Sequence, residues 1–354
     1  MARAARRRLA AALAVIAGIA FGTPLESREI GFTSIDIGVS TIENFEPGRA
    51  GTTFGALEFR GGLVLRSHDP DFGALSGLDF MPDGSLLAAA DTSSWFSARL
   101  VESGGRLVGI EAARLAPMLA ADGRPLAGKR QGDAESLRVV TRDGRTDAVV
   151  SFEMRNDVRH FAALPDVSLS KPAAVPLPKA VSGIRRTAGL EALAAAPEAS
   201  VFGGALAIVA ERSLDAKGNH RGWILGGPRR GAFSIVRSGD FDVTDAAFLP
   251  GGDLLILERF YSFPLNVAFR IRRIDADSLV PGATVDGRTL IEADLRYDID
   301  NMEGMAVSTG PSGETLITLC SDDNHSLLQR TLLLQFALPA DATPVPRLRP
   351  VSSP

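Results

Sequence analysis

The stretch "NMEGMAVSTGPSGETLITLCSD", residues 301–322, decides the fold. Glu303 opens a short run of small and apolar residues, a turn rich in Gly, Pro and Ser follows, and a second apolar run ends on Asp322. Two short apolar runs joined by a glycine-containing turn read as an antiparallel hairpin. A carboxylate at the edge of a buried strand is costly unless something compensates it. The same pattern recurs upstream. "AESLRV" carries Glu135, "LEALAA" carries Glu191 and "TDAAFL" carries Asp245 in the opening slot, while "LSGLDF" is a degenerate copy with Ser76 there. The slots at 76, 135, 191, 245 and 303 are separated by 59, 56, 54 and 58 residues.

Each copy continues alike. Turns such as "MPDGS", "TRDGR", "LPGGD" and "GPSGE" lead into a second strand that ends on an acid: Asp91, Glu153, Glu211, Glu258 and Asp322. The third copy has a longer link, "APEASVFGG". Several strands repeated every 50–60 residues mark the blades of a β-propeller. The expected fold is therefore all-β, a propeller of antiparallel blades. Residues 23–75 and the strand "TLLLQFAL" (331–338) lie outside the five copies, so a sixth blade closed by the two termini is expected, with five or seven blades as the alternatives. "GIEAARLAPMLAADG" (109–123) is expected to form a short inserted helix and "SLSKPAAVPLPKA" (168–180) a proline-rich surface loop.

The ends of the chain read differently. "MARAARRR" followed by the apolar run Leu9–Phe21 and a small-residue site has the form of an export signal over residues 1–22. Thirteen apolar residues are too few to span a bilayer comfortably. Arg6, Arg7 and Arg8 before Leu9 also fit a loose twin-arginine signal. The single propeller domain would then occupy 23–338, followed by a proline-rich, disordered tail over 339–354. The protein is expected in the periplasm or outside the cell, with no stable membrane span after cleavage. Removing the signal leaves 34 Lys and Arg against 42 acids, a balance that argues against nonspecific nucleic-acid binding. Cys320 is the only cysteine, so no internal disulfide forms, and its apolar strand marks it as a buried structural thiol.

The ordered set "FGALSGLDFMPDGSLLAAADTSSWF", "DAESLRV", "GLEALA", "LPGGDLLILERFYS", "NMEGMAV" and "SDDNHSLLQRTLLLQFAL" resembles the exported bacterial phytase-like family over roughly residues 55–340. That family is described by the esterase-like activity of phytase. The resemblance implies a propeller-type fold and a hydrolase. It brings no settled set of catalytic residues, and the first copy lacks the acid in its opening slot.

The site is therefore expected from the residues themselves. Equivalent positions of successive blades converge on the central channel, so Glu135, Glu191, Asp245 and Glu303 form a candidate ring of carboxylates. Like charges held close raise one another's pKa unless a cation intervenes. A hard divalent cation, Ca²⁺ first among them, takes carboxylate oxygens and can polarise an ester or phosphate ester. Asp323 joins this candidate metal set. The alternative is that the repeated acids only bind backbone and fix blade packing. Arg212 and Arg259, beside the second acids, and Arg185 and Arg186, before Glu191, are candidates to hold a small anionic or ester substrate. "SDDNHS" (321–326) breaks the repeat, and its Asp322 and His325 join Glu303 as candidate catalytic groups. Its bland alternative is an Asp/Asn-rich turn. HExxH, P-loop, GxGxxG and GxSxG motifs are absent. A lactonase-type propeller and a non-catalytic binding propeller remain the alternatives to an ester or phosphoester hydrolase.

Overall fold

The computed structural model describes residues 29–126, 129–182, 184, 189–262 and 266–340. The expected signal peptide, and all but two residues of the expected tail, lie outside them. Among the described residues five sheets of almost wholly antiparallel strands make up the fold. Blade 1 runs Leu75–Phe80, Leu86–Ala90, Ser94–Ser103 and Arg106–Pro117 from the centre outward, with Thr33–Ser34 at its edge. Blade 2 runs Ala134–Arg142, Arg145–Phe152, Asp157–Ala162 and Ala173–Ala174. Blade 3 runs Leu190–Ala195, Leu206–Leu214, His220–Ile224 and Gly231–Ile235, with Thr284–Val285 added in parallel. Blade 4 runs Asp242–Phe248, Leu254–Ser262, Asn266–Ile274 and Arg288–Asp294. Blade 5 runs Met302–Thr309, Thr315–Ser321 and Thr331–Leu338, then Leu57–Arg66 and Gly38–Ile42 from the opposite end of the chain. The first strands of blades 1 to 5 pack side by side in that order and close on themselves.

The propeller thus has five blades, not six. The termini do close the ring, through pairing of Thr331–Leu338 with Leu57–Arg66 from Thr331↔Leu65 to Ala337↔Glu58. The fifth copy brings three strands of its own, and the N-terminal strands complete it, so none are left for a sixth blade. The expected helix over 109–123 is also overturned. Arg106–Pro117 is a strand, zipped to Ser94–Ser103. The loop expected over 168–180 contributes the short edge strand Ala173–Ala174 to blade 2. Among the described residues no helix is long and apolar enough to cross a membrane.

Alternation of side chains explains the packing. Each strand points successive residues to opposite faces, and each face of a blade meets a neighbour. Leu86–Ala90 and Thr331–Leu338 are accordingly buried at every position. The five apolar clusters are the five blade junctions. Leu87 and Trp95 of blade 1 meet Leu137 and Val150 of blade 2, and Leu255 and Phe269 of blade 4 meet Met302 and Leu319 of blade 5. Cys320 is fully buried in the junction of blades 5 and 1.

The centre is polar. Gly77, Ser136, Ala192, Asp245 and Gly304 hold equivalent places on the inner strands, each pairing just beyond a bulge. Small residues are required there. A Cβ on Gly77 would lie 2.6 Å from the Leu137 amide nitrogen, and one on Gly304 2.6 Å from the Cys320 sulfur. Asp245 fills the remaining space together with Arg138. Their ion pair is 2.7 Å long, with both side chains buried. Arg138 also donates to the carbonyls of Leu78 at 3.0 Å and Ala246 at 2.5 Å. Asp245 accepts from the Ser136 hydroxyl and the Met305 amide, each at 2.7 Å. The Leu193 amide donates to the Ser136 hydroxyl at 3.2 Å. One buried pair and its immediate partners therefore touch all five blades.

Removing one member leaves the other buried and charged, which costs about 3–5 kcal/mol. Asp245→Ala is expected to lower stability by that amount in chemical denaturation. The double substitution Arg138→Met with Asp245→Leu should cost clearly less than the single one. A single-variant loss below about 1 kcal/mol, the size of a surface pair, would contradict this.

Candidate functional site

Every inner strand begins with a β-bulge, and the extra residue is Ser76, Glu135, Glu191, Thr244 or Glu303 in blades 1 to 5. A bulge re-aims its side chain out of the pleat. Here it turns three glutamates toward one mouth of the channel. The residue before each bulge pairs with Ala90, Phe152, Ala210, Glu258 or Ser321 on the second strand. The next residue along that strand is Asp91, Glu153, Glu211, Arg259 or Asp322. In four blades its amide returns to the inner segment in the same way: Asp91 to Ala74, Glu153 to Asp133, Glu211 to Gly189 and Asp322 to Asn301, at 2.9–3.1 Å. All five of these residues, with Glu135, Glu191 and Glu303, line one cavity of about 540 Å³.

Blade 4 is offset by one residue from the acid-to-acid alignment of the sequence. Its bulge residue is Thr244, not Asp245, and its second position is Arg259, not Glu258. Asp245 therefore does not join the mouth. Glu258 is fully buried among Arg270 and Arg272, at 2.5–2.7 Å. Burial opposes its ionisation, but those guanidiniums hold it below the ordinary range. A signal for the offset is present in the chain. "FMPDGSLL" (80–87) and "FLPGGDLL" (248–255) are the same turn. Gly84 and Gly252 both have left-handed φ, at 80° and 96°, and the two turns share one hydrogen-bond pattern. Superposing them places Thr244 on Ser76 and Arg259 on Asp91.

Arg259 is thus a cation built into a ring of acids. It donates to Glu303 and, at 2.6 Å, to the Asn301 side chain, and it lies 3.5 Å from Glu211. Asn301 also donates to Glu303 at 3.0 Å. Arg212 sits half-exposed at the rim, bound to Asp242 at 2.8 Å. Asp322 lines the cavity, and its carboxylate accepts from the Asn324 amide at 2.6 Å. Asp323 is committed elsewhere: it accepts from the Ala74 amide at 2.9 Å, the Thr331 hydroxyl at 2.7 Å and the His325 amide at 3.1 Å, tying blade 5 to blade 1. His325 is exposed on the same loop, in a left-handed conformation, and does not line the cavity. Arg185 and Arg186 lie outside the described residues.

The opposite side of the mouth, on blades 2 and 3, is rich in acids, with Arg212 beside Glu211 at its rim. One oxygen each from Asp133, Glu135 and Glu153 lie within 4.8 Å of one another, and so do oxygens from Glu153, Glu191 and Glu211. Sequence reading marks Glu153 and Glu211 as strand-end acids without assigning them to a site, and misses Asp133. Burial, then the charge of Glu191, pushes Glu135 well above the ordinary carboxylate range. Burial, then Glu211 and Glu153, does the same to Glu191. Burial raises Glu211 against the pull of Arg212 and Arg259. Burial outweighs Arg259 at Glu303 as well, and with Asp322 and Glu211 nearby it titrates at about 8. An all-oxygen, all-carboxylate donor set suits a hard divalent cation such as Ca²⁺.

A family model described as phytase-like, with the esterase-like activity of phytase, matches residues 70–325. The chain finds no match among curated proteins. Among solved structures it is similar to the Dos1 propeller, at 9% identity and TM-score 0.35 over 80% of this chain and 74% of that one. It is similar to the bifunctional GH43-CE protein of Bacteroides eggerthii, at 10% identity and TM-score 0.45 over 77% and 34%. It is similar also to the GH43_1 enzyme from Xanthomonas citri, at 12% identity and TM-score 0.43 over 77% and 91%. These likenesses are too remote to bear on activity.

The raised carboxylates have a consequence for stability. Folded-state values above the unfolded one stabilise the fold fully below about pH 4.5 and lose that contribution as pH rises toward 8. In chelator, the thermal midpoint is expected to fall by at least about 2 °C between pH 5 and pH 8.5. Ca²⁺ should restore it, most of all at the alkaline end. A midpoint that is flat with pH and indifferent to Ca²⁺ would contradict the electrostatic description of the mouth.

Proposed function

The chain belongs to the phytase-like family, and from that premise we propose that it is an exported hydrolase of phosphate esters or other esters, working at the carboxylate-lined mouth. The observation that carries this reading is the convergence of nine charged side chains on one cavity, with Glu303 titrating at about 8 among them. Ester hydrolysis needs a group that can take a proton from water and return one to the leaving oxygen, and such a group works best when its pKa is near the working pH. Glu303 meets that requirement. Arg259 and Asn301 hold its carboxyl in one orientation. Arg212, half-exposed at the rim, is placed to meet an anionic group of the substrate.

The acids of blades 2 and 3 are suited to hold a divalent cation. When bound, it would supply Lewis-acid polarisation of the ester or phosphoryl oxygen. The signal-like form of residues 1–22 supports export, which would put the activity outside the cytoplasm.

The test is turnover of 4-nitrophenyl phosphate and 4-nitrophenyl acetate by the purified mature protein, with Ca²⁺, with Mg²⁺ and with chelator. At least one ester class should be hydrolysed, and chelator should suppress the rate. Glu303→Gln should lower kcat by about 10²-fold or more while KM and the thermal midpoint change little. Full activity in Glu303→Gln, or no hydrolysis of either class, would refute the proposal.

A further inference from the structure

We propose that the substrate of the mouth is a carboxylic ester carrying an apolar chain of several carbons, and that Tyr261, Leu327 and Leu328 form the rim on which that chain lies. This names the substrate class for the hydrolase reading above and rests on it. Leu327 and Leu328 are the most exposed large apolar residues among those described. Two adjacent leucines left in water are apolar surface that a ligand can cover.

Their place in the chain ties them to the cavity. They form the tip of loop 322–330, between the second and third strands of blade 5. Asn324 and Gln329, on either side of that tip, both line the cavity. The Asn324 side chain donates to the Gln329 side chain at 3.3 Å and closes the base of the tip. The Leu328 amide donates to the Ser326 hydroxyl at 3.2 Å, and the Ser326 amide to the Asp323 carbonyl at 2.7 Å. Asp323 is in turn anchored on Ala74 and Thr331. A hydrogen-bonded turn therefore holds the leucines outward beside the mouth.

Tyr261 reaches the same rim from blade 4. It lines the cavity and is half-exposed. It stands two residues beyond Arg259 in a stretch of regular pairing, from Arg259↔Phe269 to Tyr261↔Val267, so both side chains leave the same face of the strand. On that face Arg259 binds Asn301 and Glu303 at the start of blade 5. Phe260, on the other face, packs against Phe241 with ring centroids 5.9 Å apart. The rim thus has an aromatic ring on one blade and two leucines on the next.

Charge selects the carboxylic ester over the phosphate ester. The lining holds seven carboxyl groups against two guanidiniums. A phosphate dianion meets that excess on entry. An uncharged ester does not, and its apolar chain gains by leaving water.

The test is kcat/KM of the full mature chain for 4-nitrophenyl acetate, butyrate and octanoate, each kept below its solubility limit. The native ratio of octanoate to acetate is expected to be about ten or more. The double variant Leu327→Ser with Leu328→Ser, and Tyr261→Ser separately, should each lower that ratio by about threefold or more. All three side chains are exposed, and the thermal midpoint reports whether the variants fold. Should one fail to, the native series decides alone. A native ratio near one, or variants that keep the native ratio, would overturn the proposal. Hydrolysis of 4-nitrophenyl phosphate with no acyl ester turned over would remove it and leave the hydrolase reading standing. A flat series, with cosedimentation on phosphatidylcholine vesicles that the leucine variant loses, would assign the leucines to a membrane surface and also count against it. Octanamide, an unreactive amphiphile, is titrated calorimetrically as the second readout. Binding to the native chain that the leucine variant loses, without turnover of any ester, would refute the hydrolase reading and support the apolar rim. Neither binding nor turnover would refute both.

Discussion

The buried pair of Arg138 and Asp245 is the constraint on which the rest of the structure depends. Five inner strands approach one axis closely enough that Gly77 and Gly304 tolerate no Cβ. The space left between them at the axis is small. Here an ion pair fills it, and its spare donors and acceptors are spent on the backbones of neighbouring blades. Such a pair contributes little net stability over an apolar filling, but breaking it is severe. Its value lies in geometry. Each hydrogen bond fixes how far one inner strand has slid along the axis, and hence the height at which its bulge residue emerges.

The bulges convert that fixed height into a site. Three of them carry glutamate, and the adjoining second-strand positions carry four more acids and one arginine. The one-residue offset of blade 4 makes the difference between a symmetric ring and a polarised one. Were blade 4 in register with the acid-to-acid repeat, Asp245 and Glu258 would face the mouth. Instead Asp245 goes to the hub, Glu258 to a buried pair of arginines, and Arg259 to the mouth. Arg259 then stands between Glu303 and Glu211, among carboxylates held above their ordinary pKa by burial and by one another. Repetition builds the scaffold, and the break in repetition sets a cation into the ring of acids.

The propeller was legible because its signal is redundant. The hairpin pattern of 301–322 recurs in every blade, and any one copy could be lost without hiding the period. The blade number was not legible from the same pattern. It depends on which strand pairs with Leu57–Arg66, a contact between the chain's two ends that no local spacing encodes. The candidate site was legible in part. Glu135, Glu191 and Glu303 lie at the mouth because a bulge acts locally, within one hairpin. Asp245 was misplaced because acids were matched by type, while strand pairing obeys turn length. The shared turn of "FMPDGSLL" and "FLPGGDLL" carried the correct register. Asp323 and His325 looked chemical for their residue types alone, yet Asp323 serves as a loop tie and His325 faces solvent.

The central claim is that carboxylates of the mouth hold a divalent cation that assists ester hydrolysis. The most direct measurement is an anomalous difference map from crystals of the mature protein grown with Mn²⁺, as a visible substitute for Ca²⁺. A peak coordinated by carboxylates of the mouth is the predicted result. A map with no peak at the mouth would contradict it.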